Sequence, residues 1–335
     1  RARRSAERTA AAYAASDSVE AKDEPIAEMM NLAGFTYVFF GENFCSGVPF
    51  SRTTEEGETE FGSGQTTQEM FNTAVDRFNQ AQSRAESAGA SSLANTARIG
   101  KARAQLNLGN FQEAADAVSG IPTGFEYEIP FSTNSAEQEN GVFSIVNNAE
   151  RWSVVNREGG GLPYLEAFEQ GDPRTPWAVA PDSAGFDRAV VQFNQFKYEG
   201  RASPIALASG VEARLIEAEA ALQANETGDF EQIHNDLRSR LDADAVDPID
   251  ADTMSQEQMV EFHFQERAYW LWLTGHRMGD ARRLIRQYGW TEDEAFPSGP
   301  YFKPAFGTYG DQVVFPIPQE ETNNPNFESC NNFNA

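Results

Sequence analysis

The chain has 335 residues, room for one large domain or two modest ones around a sizeable core. Hydrophobic residues make up 40%, with 25 Phe, and charged residues only 23%, which excludes a mainly disordered chain. Acidic residues outnumber Lys and Arg 51 to 26, for a net charge of −25, so a nucleic-acid backbone or an anionic lipid surface is repelled. No nucleic-acid partner is expected.

Only Lys22, Lys101, Lys197 and Lys303 are lysines. An acidic, lysine-poor surface fits a salty or exposed habitat, and equally a genome-wide compositional bias. The longest strongly apolar stretch, Phe35 to Phe40, is too short to span a bilayer. Arg1, Arg3 and Arg4 are followed by Ala, Glu and Ser, so the segment does not read as a signal peptide. Cys45 and Cys330 lack the neighbouring Cys or His of a zinc site. They read either as two unrelated buried thiols or as one disulfide tying the C-terminal tail to an early helix. Such a bridge would contribute roughly 5 kcal/mol on the chain-entropy model and imply an oxidising compartment.

The first 120 residues read as helices. Arg1 to Ser16 is alanine-rich, and Pro25 sits in the first turn of a second helix with a stripe of Ile26, Met29, Met30, Ala33, Tyr37 and Phe40. Glu55 to Gly64 is an acidic loop. Thr66 and Glu69 have capping-box spacing, with Met70, Ala74, Phe78 and Ala81 on one face behind them. Ser92 is a candidate cap for a helix through Ala94, Ala97, Ala104 and Leu108. The turn Gly109, Asn110, Phe111 and a second helix through Val118 then complete a hairpin resembling a tetratricopeptide repeat. Val211 to Ala224 reads as a second such first helix, with Gly228, Asp229 and Phe230 echoing the turn.

Between these hairpins, residues 121–205 hold seven of the 16 prolines, the Gly159–Gly161 run and short strand-like pieces at Val142 to Val146 and Ala189 to Phe193. Residues 206–289 return to helix. Ser255 is a cap, Gly275 a stop, and Asp280 to Tyr288 a short final helix bearing Arg282, Arg283 and Arg286. From Trp290 to residue 335 the chain is rich in Pro, Gly and Asn and reads as an irregular wrap. The fold class expected is mainly α, tetratricopeptide-like helical hairpins with a loop-rich insertion carrying short strands.

Chemistry-bearing motifs are sparse. His263 and Glu266 give H-x-x-E without the second histidine of a zincin helix. His276 and Asp280 have the spacing of a His–acid pair. Against that, Glu266, Arg267, Arg277, Asp280 and Arg283 read as a structural ion-pair network between packed helices. No nucleophile elbow, P-loop or dinucleotide fingerprint occurs, and nothing selects two of the many acids for glycoside hydrolysis. No catalytic residue, metal or cofactor is assigned. Trp152, Trp177, Tyr164 and Arg174 in the insertion have the composition of a sugar site. Aromatic faces stack on sugar rings, and planar arginine binds hydroxyls. The same aromatics also serve as plugs that large loops need.

Two segments carry a resemblance. The run E-R-A-Y-W-L-W-L-T-G-H-R-M-G-D-A-R-R from Glu266 to Arg283 and V-V-F-P-I-P-Q-E-E-T-N-N-P-N-F from Val313 to Phe327 resemble the SusD/RagB family of outer-membrane nutrient-binding lipoproteins. Glu212 to Leu222 and the Asp172-Pro173-Arg174 turn are similar to further family features. Trp270 and Leu273 depart from commoner charged positions, and family members usually begin earlier, with a lipid-bearing cysteine. The resemblance implies about four helical hairpins with a loop-rich ligand face, forming one domain. It also implies a lipid-anchored, cell-surface protein at the outer membrane. Such a protein is non-catalytic and passes a glycan or other nutrient to a SusC-like TonB-dependent transporter barrel. An interaction scaffold is the alternative, and a carboxylate-based glycoside hydrolase the third.

Overall fold

In the computed structural model the described residues are 2–54, 58–242 and 245–329. Nine main helices follow in chain order: α1 (Ala2–Ala15), α2 (Asp23–Asn43), α3 (Thr67–Ala88), α4 (Ser91–Leu108), α5 (Phe111–Val118), α6 (Gly210–Ala224), α7 (Thr227–Arg238), α8 (Gln256–Trp270) and α9 (Arg277–Tyr288). Strands among the described residues form four two-stranded sheets. The protein is thus mainly α with short strands, as the sequence predicts.

The chain divides into two compact units. One comprises Arg1–Pro122, Met278–Trp290 and Gln312–Ala335; the other comprises Thr123–Arg277 and Thr291–Asp311.

In the first unit α1 packs on α2, α2 on α3 and α3 on α4. The Thr66 capping box forms as the sequence indicates, with Thr66 Oγ1 accepting from Glu69 N. Ser92 is not a cap, because the helix already begins at Ser91 behind Ala90. Glycines let the helices close on one aromatic: Phe78 of α3 lies between Gly34 of α2 and Gly100 of α4, and its ring meets Phe35 edge-on at 5.0 Å. The C-terminal segment runs back over this unit. Phe315 N donates to Asn43 O, and Asn324 Nδ2 donates to Gly62 O. The N-P-N run therefore secures the chain around residues 51–62 with amides. Cys45 is buried there, while Cys330 lies outside the described residues.

The second unit carries the hairpin α6–α7, with α8 packed on α6. Its turn differs from the sequence reading. Asn225, three residues before Gly228, takes the left-handed conformation at φ 58° that Gly109 takes at φ 81° in the first hairpin. Gly228 lies inside α7. Asparagine tolerates this region because its side chain bonds locally, so the glycine echo pointed to the wrong residue. Asn225→Ala is expected to cost about 1 kcal/mol and Asn225→Gly close to nothing, read by urea denaturation. Equal losses in both variants would mean that the side chain, not the backbone conformation, matters.

Val142 to Val146 is not a strand. Gly141–Phe143 is helical, capped by Asn140 accepting from Phe143 N, and continues as a π-turn over Ser144–Asn148. The cap and the turn supply the backbone partners that a strand would have found across a sheet. The strand expected at Ala189 to Phe193 begins instead at Phe193 and runs to Gln195, antiparallel to Trp177–Val179.

Candidate functional site: an exposed aromatic platform on amide-clamped loops

Segment 141–160 has no long helix to satisfy its backbone, so side-chain amides do that work. The strands Trp177–Val179 and Phe193–Gln195 pair in the register Trp177↔Gln195 and form a hairpin whose loop is residues 180–192. Buried Gln192, 1% exposed, donates from Nε2 to the carbonyls of Trp152 (2.8 Å) and Val146 (2.9 Å). Buried Gln195 and half-buried Asn147 exchange bonds: Gln195 Nε2 donates to Asn147 Oδ1 and Asn147 Nδ2 to Gln195 O. Ser153 Oγ accepts from Phe193 N, and Phe186 N donates to Glu150 O. Two irregular loops are thereby bonded to one strand pair.

Within these loops Glu150, Arg157, Ser183 and Arg188 are non-glycine residues at positive φ, between 51° and 63°. Each such residue costs about 1 kcal/mol or more, and such strain gathers at functional sites. The loops present exposed apolar side chains, Trp152 (68%) and Phe186 (60%) foremost, with Val155, Val179, Val191 and Phe196 around half exposed. The Arg151 guanidinium lies 4.0 Å over the Phe186 ring.

The other insertion residues singled out in the sequence occupy different settings. Trp177 is half-buried, donates Nε1 to Leu165 O, and packs edge-on against Phe168 and Phe193. Tyr164 stacks on Trp272 and meets Tyr269 edge-on. Arg174 is buried, with Nη2 2.6 Å from Asp172 and Nη1 2.8 Å from Glu266. Glu266 also receives Arg238.

These charges border a polar cleft of about 530 Å3 that Arg157, Glu166, Arg238 and Tyr269 also line. Burial alone would raise the Glu266 carboxyl, but hydrogen bonds and charge from Arg174 and Arg238 outweigh it and hold it at about 2. Burial opposes the Arg174 charge too, yet its bonds to Asp172 and Glu266 push it above the ordinary range. Glu166 is lowered by its hydrogen bonds from Arg157 and Asn156. The carboxylates Glu166 and Glu266 are thus held ionised by arginine, whereas a general acid needs the opposite shift.

The other residues of the expected ion-pair network lie on α8 and α9. Asp280 pairs with Arg283 at 2.9 Å, Arg267 is buried in α8, and Arg277 is half-buried at the start of α9. His276 faces Glu212 at 3.2 Å and Thr274 Oγ1 at 2.8 Å. His263 sits between His234 (3.1 Å) and Glu219 (3.4 Å) in the core. Among the described residues no group of three or more His, Cys, Asp or Glu is placed to hold a metal. No helix there is long and apolar enough to cross a membrane.

Sequence reasoning missed Phe186. It stands in Asp182-Ser183-Ala184-Gly185-Phe186-Asp187, a stretch of turn residues with no apolar periodicity. An aromatic there has no helix face or strand face to join, and that was the available signal.

The SusD family matches residues 212–331. No curated protein matches the chain. Among solved structures, a SusD superfamily protein from Bacteroides thetaiotaomicron is 16% identical, with 98% of this chain and 83% of that one covered at a TM-score of 0.70. A SusD-like carbohydrate binding protein from Bacteroides vulgatus is 16% identical, with 97% and 81% covered at 0.65. Surface glycan-binding protein A from Bacteroides uniformis is 13% identical, with 99% and 82% covered at 0.65. At these identities the likeness is one of fold.

Proposed function

From a chain that matches the SusD family over residues 212–331 on a SusD-like fold, we propose a non-catalytic, cell-surface nutrient-binding protein. It takes a glycan on the platform around Trp152 and delivers it to a SusC-like TonB-dependent transporter barrel. Its lipid anchor at the outer membrane belongs to the same reading. The observation that carries the proposal is Trp152, 68% exposed on a backbone whose carbonyl a buried amide holds. Exposed apolar side chains gathered on neighbouring, mutually bonded loops mark binding surfaces, whereas a lone exposed residue needs no explanation. A rigid aromatic face stacks on the C–H face of a sugar at little entropic cost. The arginine-held state of Glu166 and Glu266 favours binding over hydrolysis.

Of the four residues with sugar-site composition, Trp152 takes the contact role in this reading, and Tyr164, Trp177 and Arg174 hold the loops and the cleft that support it. Trp152→Ala should weaken glycan binding about tenfold or more, measured by calorimetry over a panel of oligosaccharides. Its thermal midpoint should stay near that of the parent, since the side chain is mostly in water. Unchanged binding to a glycan that the parent binds would remove Trp152 from the site. Failure of the parent to bind any glycan, with a soluble protein partner recovered after cross-linking, would favour the scaffold reading.

A further inference from the structure

The loops 123–204 and 291–311 contain seven cations: Arg151, Arg157, Arg174, Arg188, Lys197, Arg201 and Lys303. Six of them have a defined partner. Arg157 pairs with Glu166, Arg174 with Asp172 and Glu266, Arg188 with Asp182, Arg201 with Glu139, and Lys303 with Asp187. Lys197 is half-buried and donates to Trp272 O. Arg151 is the exception. No carboxylate among the described residues pairs with it, and its guanidinium lies on the Phe186 ring. In a chain where acids outnumber bases 51 to 26, a partner for any exposed arginine is easily supplied.

Stacking fixes the plane of the guanidinium while leaving its in-plane N–H groups unspent. The backbone beneath is equally set. Glu150 at φ 51° turns the chain just before Arg151, Arg151 N donates to Ile145 O, and Glu150 O accepts from Phe186 N. The ring and the cation above it are therefore held by the same short segment, next to exposed Trp152.

We propose that the platform selects an anionic glycan, one bearing a carboxylate or a sulfate ester, with Arg151 donating to the anionic group while Trp152 stacks on a sugar ring. This rests on the glycan-binding reading above and adds the class of sugar to it. A planar fork with two parallel N–H groups matches a carboxylate or a sulfate edge, and charge-assisted bonds of this kind are about twice as strong as neutral ones. The net charge of −25 does not forbid it. At physiological salt the screening length is about 8 Å, so remote acids are muted while a direct contact is not. Locally the acids Asp182 and Asp187 are already engaged by Arg188 and Lys303.

The test is calorimetric titration of the parent, Arg151→Gln and Trp152→Ala with three probes: oligogalacturonate, its fully methyl-esterified form and a chondroitin sulfate oligosaccharide. One of the two anionic probes is expected to bind at least about tenfold more tightly than the ester, and which one does so distinguishes carboxylate from sulfate. Arg151→Gln should abolish that preference and flatten its salt dependence. Trp152→Ala should weaken charged and neutral probes alike. Equal binding of ester and anions by the parent, or a preference that survives Arg151→Gln, overturns the anionic assignment and leaves the glycan reading standing. A parent that binds none of these probes, but binds a neutral glycan of the panel in an Arg151-independent way, overturns it too. Loss with every glycan strikes the function itself.

Discussion

Replacing Arg174 by alanine is expected to destabilise the protein by about 3–5 kcal/mol at neutral pH, the cost of leaving buried carboxylates without their cation. Asp172 and Glu266 are 6% and 2% exposed, and Arg174 bonds to both while lying 5.3 Å and 5.1 Å over the rings of Tyr269 and Trp270. Arg238 remains on Glu266, but Asp172 has no second arginine among its described ion pairs. Arg174→Lys should recover only part of the loss, because a point charge cannot bridge two carboxylates and lie flat on two rings.

The pH dependence follows from the depressed carboxyl of Glu266. Its folded value is about 2 and its ordinary value 4.5, so the folded state holds its proton less tightly than the unfolded chain. The stabilisation is complete above about 4.5 and is lost as the pH falls from there towards 2. In Arg174→Ala part of the opposing charge is gone and burial raises the carboxyl. The gap in unfolding free energy between parent and variant should therefore narrow between pH 7 and pH 3.5. Urea denaturation at the two values decides it, and a gap independent of pH would mean that the loss is packing alone.

Where a side chain's role was set by its own neighbours in the chain, the sequence was readable. The capping box at Thr66 and the cap at Ser255 form between residues three apart, and both are in the structure. The helices from Gly210 and Gln256 carry enough apolar residues to be recognised by pattern alone. The mistakes arise where distant partners decide. Val142 to Val146 has the apolar, β-branched composition of a strand, but among the described residues no strand forms a ladder with it, and the Asn140 cap winds it into helix. Trp177 and Trp152 meet different fates, because Leu165, Phe168 and Phe193 pack against the one while the other is left 68% exposed. Arg174 looked like a sugar-binding arginine until Glu266, 92 residues on, was seen to take both of its Nη groups. Exposure is a property of the assembled loops, and aromatic composition carries no information about it.

Packing in the first unit makes even a single added methyl group costly. A Cβ on Gly100 would stand 2.3 Å from two carbons of the Phe78 ring and 3.0 Å from Phe35, and a Cβ on Gly34 would stand 2.7 Å from the same Phe78 ring. The ring is fully buried and held from both sides, so it has nowhere to go. Gly100→Ala should gain about 1 kcal/mol in helix propensity and lose more than that to overpacking, for a net cost of roughly 1–2 kcal/mol. Phe78→Ala should cost about 3–5 kcal/mol by opening a cavity where α2, α3 and α4 meet. The two changes should not add, because shrinking the ring makes room for the methyl. In a Phe78→Leu background, Gly100→Ala should be neutral or stabilising, a coupling of at least about 1 kcal/mol in a double-mutant cycle. Additive losses would show that the helices part to admit the methyl, and that the glycines are not what sets their approach.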